Sequence, residues 1–132
     1  MKRTNISDGT PWEPLIGYSR AVRVGDRVIV SSTAAVDQKG NVVFVGDIYQ
    51  QSRYVIEKIK RALEQAGANV YDVVKTTIYL ADISRWEEAA RAHREAFGEV
   101  RPVNTILQVA RLVDPRMLVE MEAEAVIGAK TE

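Results

Sequence analysis

The chain has 132 residues, and its 18 lysines and arginines against 18 aspartates and glutamates give a formal net charge of zero. That length fits one domain with its own core, and 46% hydrophobic with 27% charged residues is globular composition, which excludes a disordered chain. Zero net charge argues against a nucleic-acid partner held by its phosphates, and the lack of cysteine excludes disulfides, thiolate metal sites and cysteine nucleophiles.

No apolar run approaches the ~18 residues of a membrane span, and the N-terminus lacks a signal-peptide core, so the expectation is a cytoplasmic protein with no membrane partner. The whole of 1–132 reads as one domain, with an irregular lead-in over 1–15 (Gly9, Pro11, Pro14) and a tail over 128–132. From Tyr18 the pattern turns β-like. Gly25-Asp26 between the runs 21–24 and 27–31 is a two-residue hairpin signal, with Gly25 supplying positive φ. Asp37-Gln38-Lys39-Gly40 is a second turn, leading to a short run at 42–45.

Residues 47–66 switch period. Ile48, Ser52, Val55, Ile59, Ala62, Leu63 and Ala66 fall on one helical stripe, between Asp47 as N-cap and Gly67 beyond the C-terminus. The β-branched run 73–80 follows. Ser84 and Glu87 have capping-box spacing and open a second helix with Trp86, Ala89, Ala90, His93 and Phe97 on one face. Runs 103–110 and 117–127 alternate with period two, and Asp114-Pro115 between them reads as the turn of a hairpin.

The order is ββ(β)αβαββ: an α+β two-layer sandwich, a mixed sheet of five to six strands with two helices on one face. The other sheet face has nothing in the chain to cover it. It is expected to carry Lys75 and Glu122 beside Ile106 and Val126, which suggests an oligomer interface.

No phosphate loop, dinucleotide fingerprint or zinc-protease motif is present, and no cofactor or metal is expected. His93, the only histidine, reads as a packed side chain with one hydrogen-bond partner, and Trp86 and Phe97 read as core. Glu120, Glu122 and Glu124 share one face of one strand, with Lys75 and Arg111 the candidate cations to ease their repulsion. One of the three is a candidate general acid/base if it lines a pocket.

Residues 101–112 (RPVNTILQVARL) and 119–123 (VEMEA) closely resemble the signature of the reactive-intermediate deaminase family (Rid or YjgF-type, endoribonuclease L-PSP). Gly17-Tyr18, the 28–32 strand, Ala66-Gly67-Ala68 and the run 72–77 agree with it. The resemblance implies a chorismate-mutase-like fold and a homotrimer with a small-molecule cleft between subunits. It also implies hydrolysis of enamines and imines such as 2-aminoacrylate to 2-keto acids and ammonia, without a cofactor. Some members were first described as ribonucleases or translation inhibitors, which net neutrality does not favour here.

By the same resemblance Tyr18, Ser31, Ser32, Asn104 and Thr105 fall at the substrate-binding cleft, with Glu120 as the catalytic carboxylate. Deaminase-active members carry an arginine where this chain has Asn104, and Ser32 stands where a glycine is usual. An amide offers two neutral donors in place of a charged fork, so standard 2-imino acids are not the expected substrate. Arg20, Arg101 and Arg111 are the candidates to replace that charge. Tyr18 and backbone amides near Ser31 and Ser32 are expected to hold a carbonyl or imine while Glu120 positions water. A non-catalytic metabolite-binding or regulatory trimer is the second reading.

Overall fold

The computed structural model describes residues 1–129, so Lys130, Thr131 and Glu132 of the expected tail lie outside the described residues. Strands β1 (Arg3–Ile6), β2 (Ala21–Val24), β3 (Arg27–Ala34), β4 (Val73–Leu80), β5 (Val103–Gln108) and β6 (Val119–Val126) form one sheet. Its order is β1-β2-β3-β6-β4-β5, antiparallel throughout except for the parallel pair β4–β5. A short helix α1 (Trp12–Ile16) precedes the two long ones, α2 (Ile48–Gln65) and α3 (Trp86–Phe97). The expected α+β sandwich is therefore present, with strand and helix added in the lead-in that was read as irregular.

The hairpin β2–β3 turns at Gly25 with φ +60°, and Asp47 caps α2 by accepting from the Gln50 amide at 2.9 Å. On β3, β4 and β6 every second side chain faces α2 and α3: Val28, Val30, Ile78, Leu80, Val119, Met121, Ala123 and Ala125 are buried. They meet Ile48, Val55, Ile59 and Leu63 of α2 and Ala89 and Phe97 of α3. Each large member of that set stabilises the fold by ~1.5–3 kcal/mol relative to leaving it in water.

Five expectations are corrected. The segments 103–110 and 117–127 are not a hairpin. Helix α3 is the crossover that a parallel pair needs, so it returns β5 alongside β4, and β6 then inserts between β3 and β4. Residues 42–45 make no strand, only a bridge from Val42 to Val36. Asp82 caps the turn before α3, accepting from Ser84, so no Ser84–Glu87 capping box forms and Trp86 is 47% exposed. Ile106, on the Thr76 and Ile78 side of the parallel pair, packs against the core instead of the open face.

The open face carries Ile29, Val103, Leu107 and Val126 exposed beside the glutamate row of β6. Those carboxylates are separated by different partners from the ones expected. Glu120 accepts from Ser32 Oγ, Glu122 from the Tyr79 hydroxyl at 2.6 Å, and Glu124 pairs with Arg27 at 3.4 Å. The Glu122 hydrogen bond, then desolvation and the charges of Glu122 and Glu120, push the Tyr79 phenol up to about 12.

Candidate functional site

The pairing of β3 with β6 slips by one residue between Val30, opposite Ala123, and Thr33, opposite Met121. The extra residue falls at Ser31-Ser32. A bulge re-aims side chains at the end of a ladder, and here it turns Ser32 Oγ onto Glu120 Oε2 at 2.9 Å. Beside it, α1 ends at Gly17, whose left-handed φ of +87° lets the chain reverse and present Tyr18. These pieces enclose a cavity of about 260 Å³. Tyr18, Ser31, Ser32 and Glu120 line one part of it, and Trp12, Ile16, Val113 and Met117 give it apolar walls. The volume lies below the ~300–1,000 Å³ of drug-sized sites, so it suits a small metabolite.

The same cavity contains two buried cations, Arg20 and Lys58, 4% and 9% exposed. Arg20 Nη2 donates to the Tyr18 hydroxyl at 2.9 Å, and Nη1 donates to Ser32 O at 3.1 Å and Thr33 Oγ1 at 2.8 Å. With its oxygen engaged by Arg20, the Tyr18 hydroxyl keeps its own proton to donate. Lys58 Nζ donates to Ala34 O at 3.2 Å and Val36 O at 2.9 Å. Asp8 stands behind both cations, 3.1 Å from Arg20 Nε and 3.8 Å from Lys58 Nζ.

Burial, then the charge of Arg20, pulls the Lys58 ammonium down to about 8 against the opposing pull of Asp8. Burial would raise Asp8, but the Glu13 carboxyl beside it, Arg20, the Thr10 amide and Lys58 together hold it below the usual carboxylate range. Of the three arginines considered as substitutes for the missing charge, Arg20 is the one that lines this cavity.

Asn104 and Thr105 lie elsewhere. Both are exposed on edge strand β5, with β4 between them and β6. Asn104 Nδ2 donates to Thr76 Oγ1 at 3.0 Å, and that hydroxyl meets His93 Nε2 at 2.8 Å. His93 thus has its one partner, stacks at 4.8 Å on Phe97, and is lowered by burial, which keeps it neutral. Nor is the Ser31 amide free for a substrate, since it donates to Arg20 O at 2.8 Å. Among the described residues no three histidine, aspartate or glutamate side chains gather as a metal site.

Sequence reasoning missed Asp8, Thr10, Trp12 and Lys58. Lys58 did leave a signal: it lies three residues after Val55 and four before Ala62, inside the apolar stripe of α2.

The family model described as endoribonuclease L-PSP matches residues 10–127. The chain belongs to this YjgF-type (Rid) family. Among solved family members, a YjgF/YER057c/UK114-family protein of Mycobacterium tuberculosis superposes with a TM-score of 0.86 at 44% identity, over 96% of this chain and 100% of that one. The 3-aminoacrylate deaminase RutC of Acinetobacter baylyi is 36% identical over 94% of this chain and 97% of its own length. Escherichia coli TdcF, solved with bound serine, is 29% identical with a TM-score of 0.75 over 83% and 87% of the two chains. The family match takes in the bulge, Glu120 and the α1 wall of the cavity.

Proposed function

We propose that this YjgF-type protein is a cofactor-independent hydrolase of the deaminase class. It acts on a small enamine or imine and releases ammonia. The observation that carries the reading is Glu120, held by the Ser32 hydroxyl in the wall of a small cavity that also presents the Tyr18 hydroxyl. A relative named for deamination of an enamine and another solved with a small amino acid support both the reaction type and the size of the ligand.

An enamine first takes a proton on its β-carbon as its nitrogen gives one up to water, and so becomes the imine. Glu120 accepts a proton from water as the water oxygen bonds to the imine carbon, and the nitrogen is protonated as the C=N π bond breaks. The resulting carbinolamine then loses ammonia and becomes the carbonyl product. Tyr18 donates to the nitrogen or to the developing carbonyl oxygen, and the apolar walls limit bulk water.

The protein works as a cytoplasmic homotrimer in this proposal. Its clefts bring β5 of one subunit, with Asn104 and Thr105, to the cavity of the next. The exposed apolar residues of the open sheet face support that assembly. The test is ammonia release from freshly generated 2-aminoacrylate and from 3-aminoacrylate. Turnover of either that disappears in Glu120→Gln is the expected result, and equal rates in wild type and variant would remove Glu120 from the mechanism.

A further inference from the structure

Three of the four buried side-chain atoms without a hydrogen-bond partner, among the described residues, lie close together where the cavity meets its neighbour. They are Thr10 Oγ1, Arg20 Nε and Asp8 Oδ2; the fourth is Ser52 Oγ. The last two of the cluster face each other at 3.1 Å, yet too misaligned for a hydrogen bond. Thr10 is 4% exposed and lines the cavity with nothing to accept its proton. A buried unpaired group costs ~1–3 kcal/mol unless something meets it; Arg20 Nε and Asp8 Oδ2 answer each other's charge, so the Thr10 hydroxyl is the group in the cavity wall that calls for a ligand to complete it.

The charges say which ligand. The ionisable side chains of the cavity wall are Arg20, Lys58, Glu120 and Tyr18. Asp8 offsets one cation from behind, where it lines the neighbouring cavity on the far side of Arg20 and Lys58. The Glu13 carboxyl lies beside Asp8 on that same side, so what faces the cavity is the pair of cations, with Glu120, bound to Ser32, the one carboxylate in its wall. Arg20 spends three of its five N–H groups on Ser32 O, Thr33 Oγ1 and Tyr18, leaving one on Nη2 besides the misaligned Nε.

We propose that Arg20, Lys58 and the Thr10 hydroxyl form the carboxylate subsite of this protein, so that it takes small carboxylic acids with the reacting carbon turned toward Tyr18 and Glu120. The inference rests on the hydrolase reading for which carbon reacts, but not for the anion site itself. It replaces the role left open by Asn104, whose amide is spent on Thr76. Trp12, Ile16, Val113 and Met117 then enclose the hydrocarbon part of the acid.

The test titrates the protein with pyruvate and with its uncharged methyl ester, following the Trp12 indole N–H by NMR. Wild type is expected to move on addition of pyruvate and to bind the ester at least about tenfold more weakly, the scale of one lost charge-assisted bond. Arg20→Gln and Lys58→Met should each weaken pyruvate about tenfold or more and weaken the ester less, so that the preference for the acid shrinks. Thr10→Val removes only a hydroxyl without a partner, keeps the fold, and should weaken pyruvate about threefold to tenfold.

Equal affinity of wild type for acid and ester overturns the subsite without any variant. So does a Thr10→Val protein that binds as wild type does, or a loss of pyruvate affinity in Arg101→Gln or Arg111→Gln but not in Arg20→Gln. The hydrolase reading fails separately: pyruvate binding that depends on Arg20, with no enamine turnover, keeps the subsite and removes the chemistry. Turnover whose KM ignores Arg20 keeps the chemistry and removes the subsite.

Discussion

Lys58 is a charge placed where an apolar side chain would be the ordinary choice, and its surroundings determine how it titrates. Arg20 and Arg61 oppose its protonation, Asp8 and Asp37 favour it, and desolvation exceeds them all, leaving the ammonium at about 8 instead of 10.5. The unfolded chain therefore binds more protons between those two values, so this residue's contribution to stability rises with pH from about 8 to about 10.5. Below pH 8 the cost of burying the charge is fully present and flat. Melting wild type and Lys58→Met across that range should show wild type gaining on the variant as pH rises. A constant difference between the two curves would mean that Lys58 is not depressed.

A second residue-scale expectation concerns Thr76, 2% exposed, which joins His93 to Asn104. The Thr76 hydroxyl accepts from Asn104 and has its own proton to offer Nε2, the arrangement in which the imidazole proton sits on Nδ1. Thr76→Val leaves Nε2 of half-buried His93 without its partner, while the exposed Asn104 amide turns to water, and should cost ~1–2 kcal/mol in denaturant unfolding. It should also raise the His93 pKa, readable by NMR, because the neutral ring loses its donor. An unchanged His93 titration would dissolve the network.

At the scale of elements, Gln51 does for α2 what no apolar residue there can. Fully buried, it donates through Nε2 to Val43 O at 3.1 Å and Arg116 O at 2.9 Å, and accepts from the Leu118 amide at 2.9 Å. It thereby pins the irregular stretch after the Asp37 turn and the entry to β6, beside the cavity wall at Met117. Gln51→Leu keeps the volume but orphans three backbone groups, and a loss of ~2–4 kcal/mol is expected in urea unfolding, with m unchanged. A variant within ~0.5 kcal/mol of wild type would show that water replaces all three bonds.

Elements with a strong period were legible in the sequence: α2 with its Asp47 cap, the Gly25 hairpin, and the alternation of β6 that puts Glu120 opposite Met121 and Val119. Long-range pairing was not. Period two says which side chains share a face but not which strand lies alongside, so β5 and β6 looked like neighbours because a turn signal separates them. The site divides the same way. Tyr18, Ser31, Ser32 and Glu120 were visible through family resemblance. Asp8, Thr10 and Lys58 become meaningful only when the lead-in folds over β3 and sets an aspartate against two cations, and no local pattern encodes that meeting.

The proposed trimer places one demand on the whole molecule. Asn104 and Thr105 sit on the edge strand, two strands from Glu120, so a cleft that uses both must draw them from different copies. Edge strand β5 is exposed along most of its length, with Val103 67% and Leu107 36% accessible, and such an edge is usually covered. Putting a charge there, as in Leu107→Asp, should break the assembly, lowering the native mass to that of one chain while the monomer's helical signal persists.

Complementation then tests the division of the site. Glu120→Gln disables the carboxylate of the subunit that carries it, and Thr105→Arg blocks the contribution of β5 to the neighbouring cleft. Each variant alone should be inactive in enamine hydrolysis. Coexpressed in equal amounts, they place an intact Glu120 against an intact β5 in about a quarter of the clefts, so about a quarter of the wild-type rate should return. If both halves of a site came from the same subunit, every cleft in the mixture would carry one defect and no activity would return.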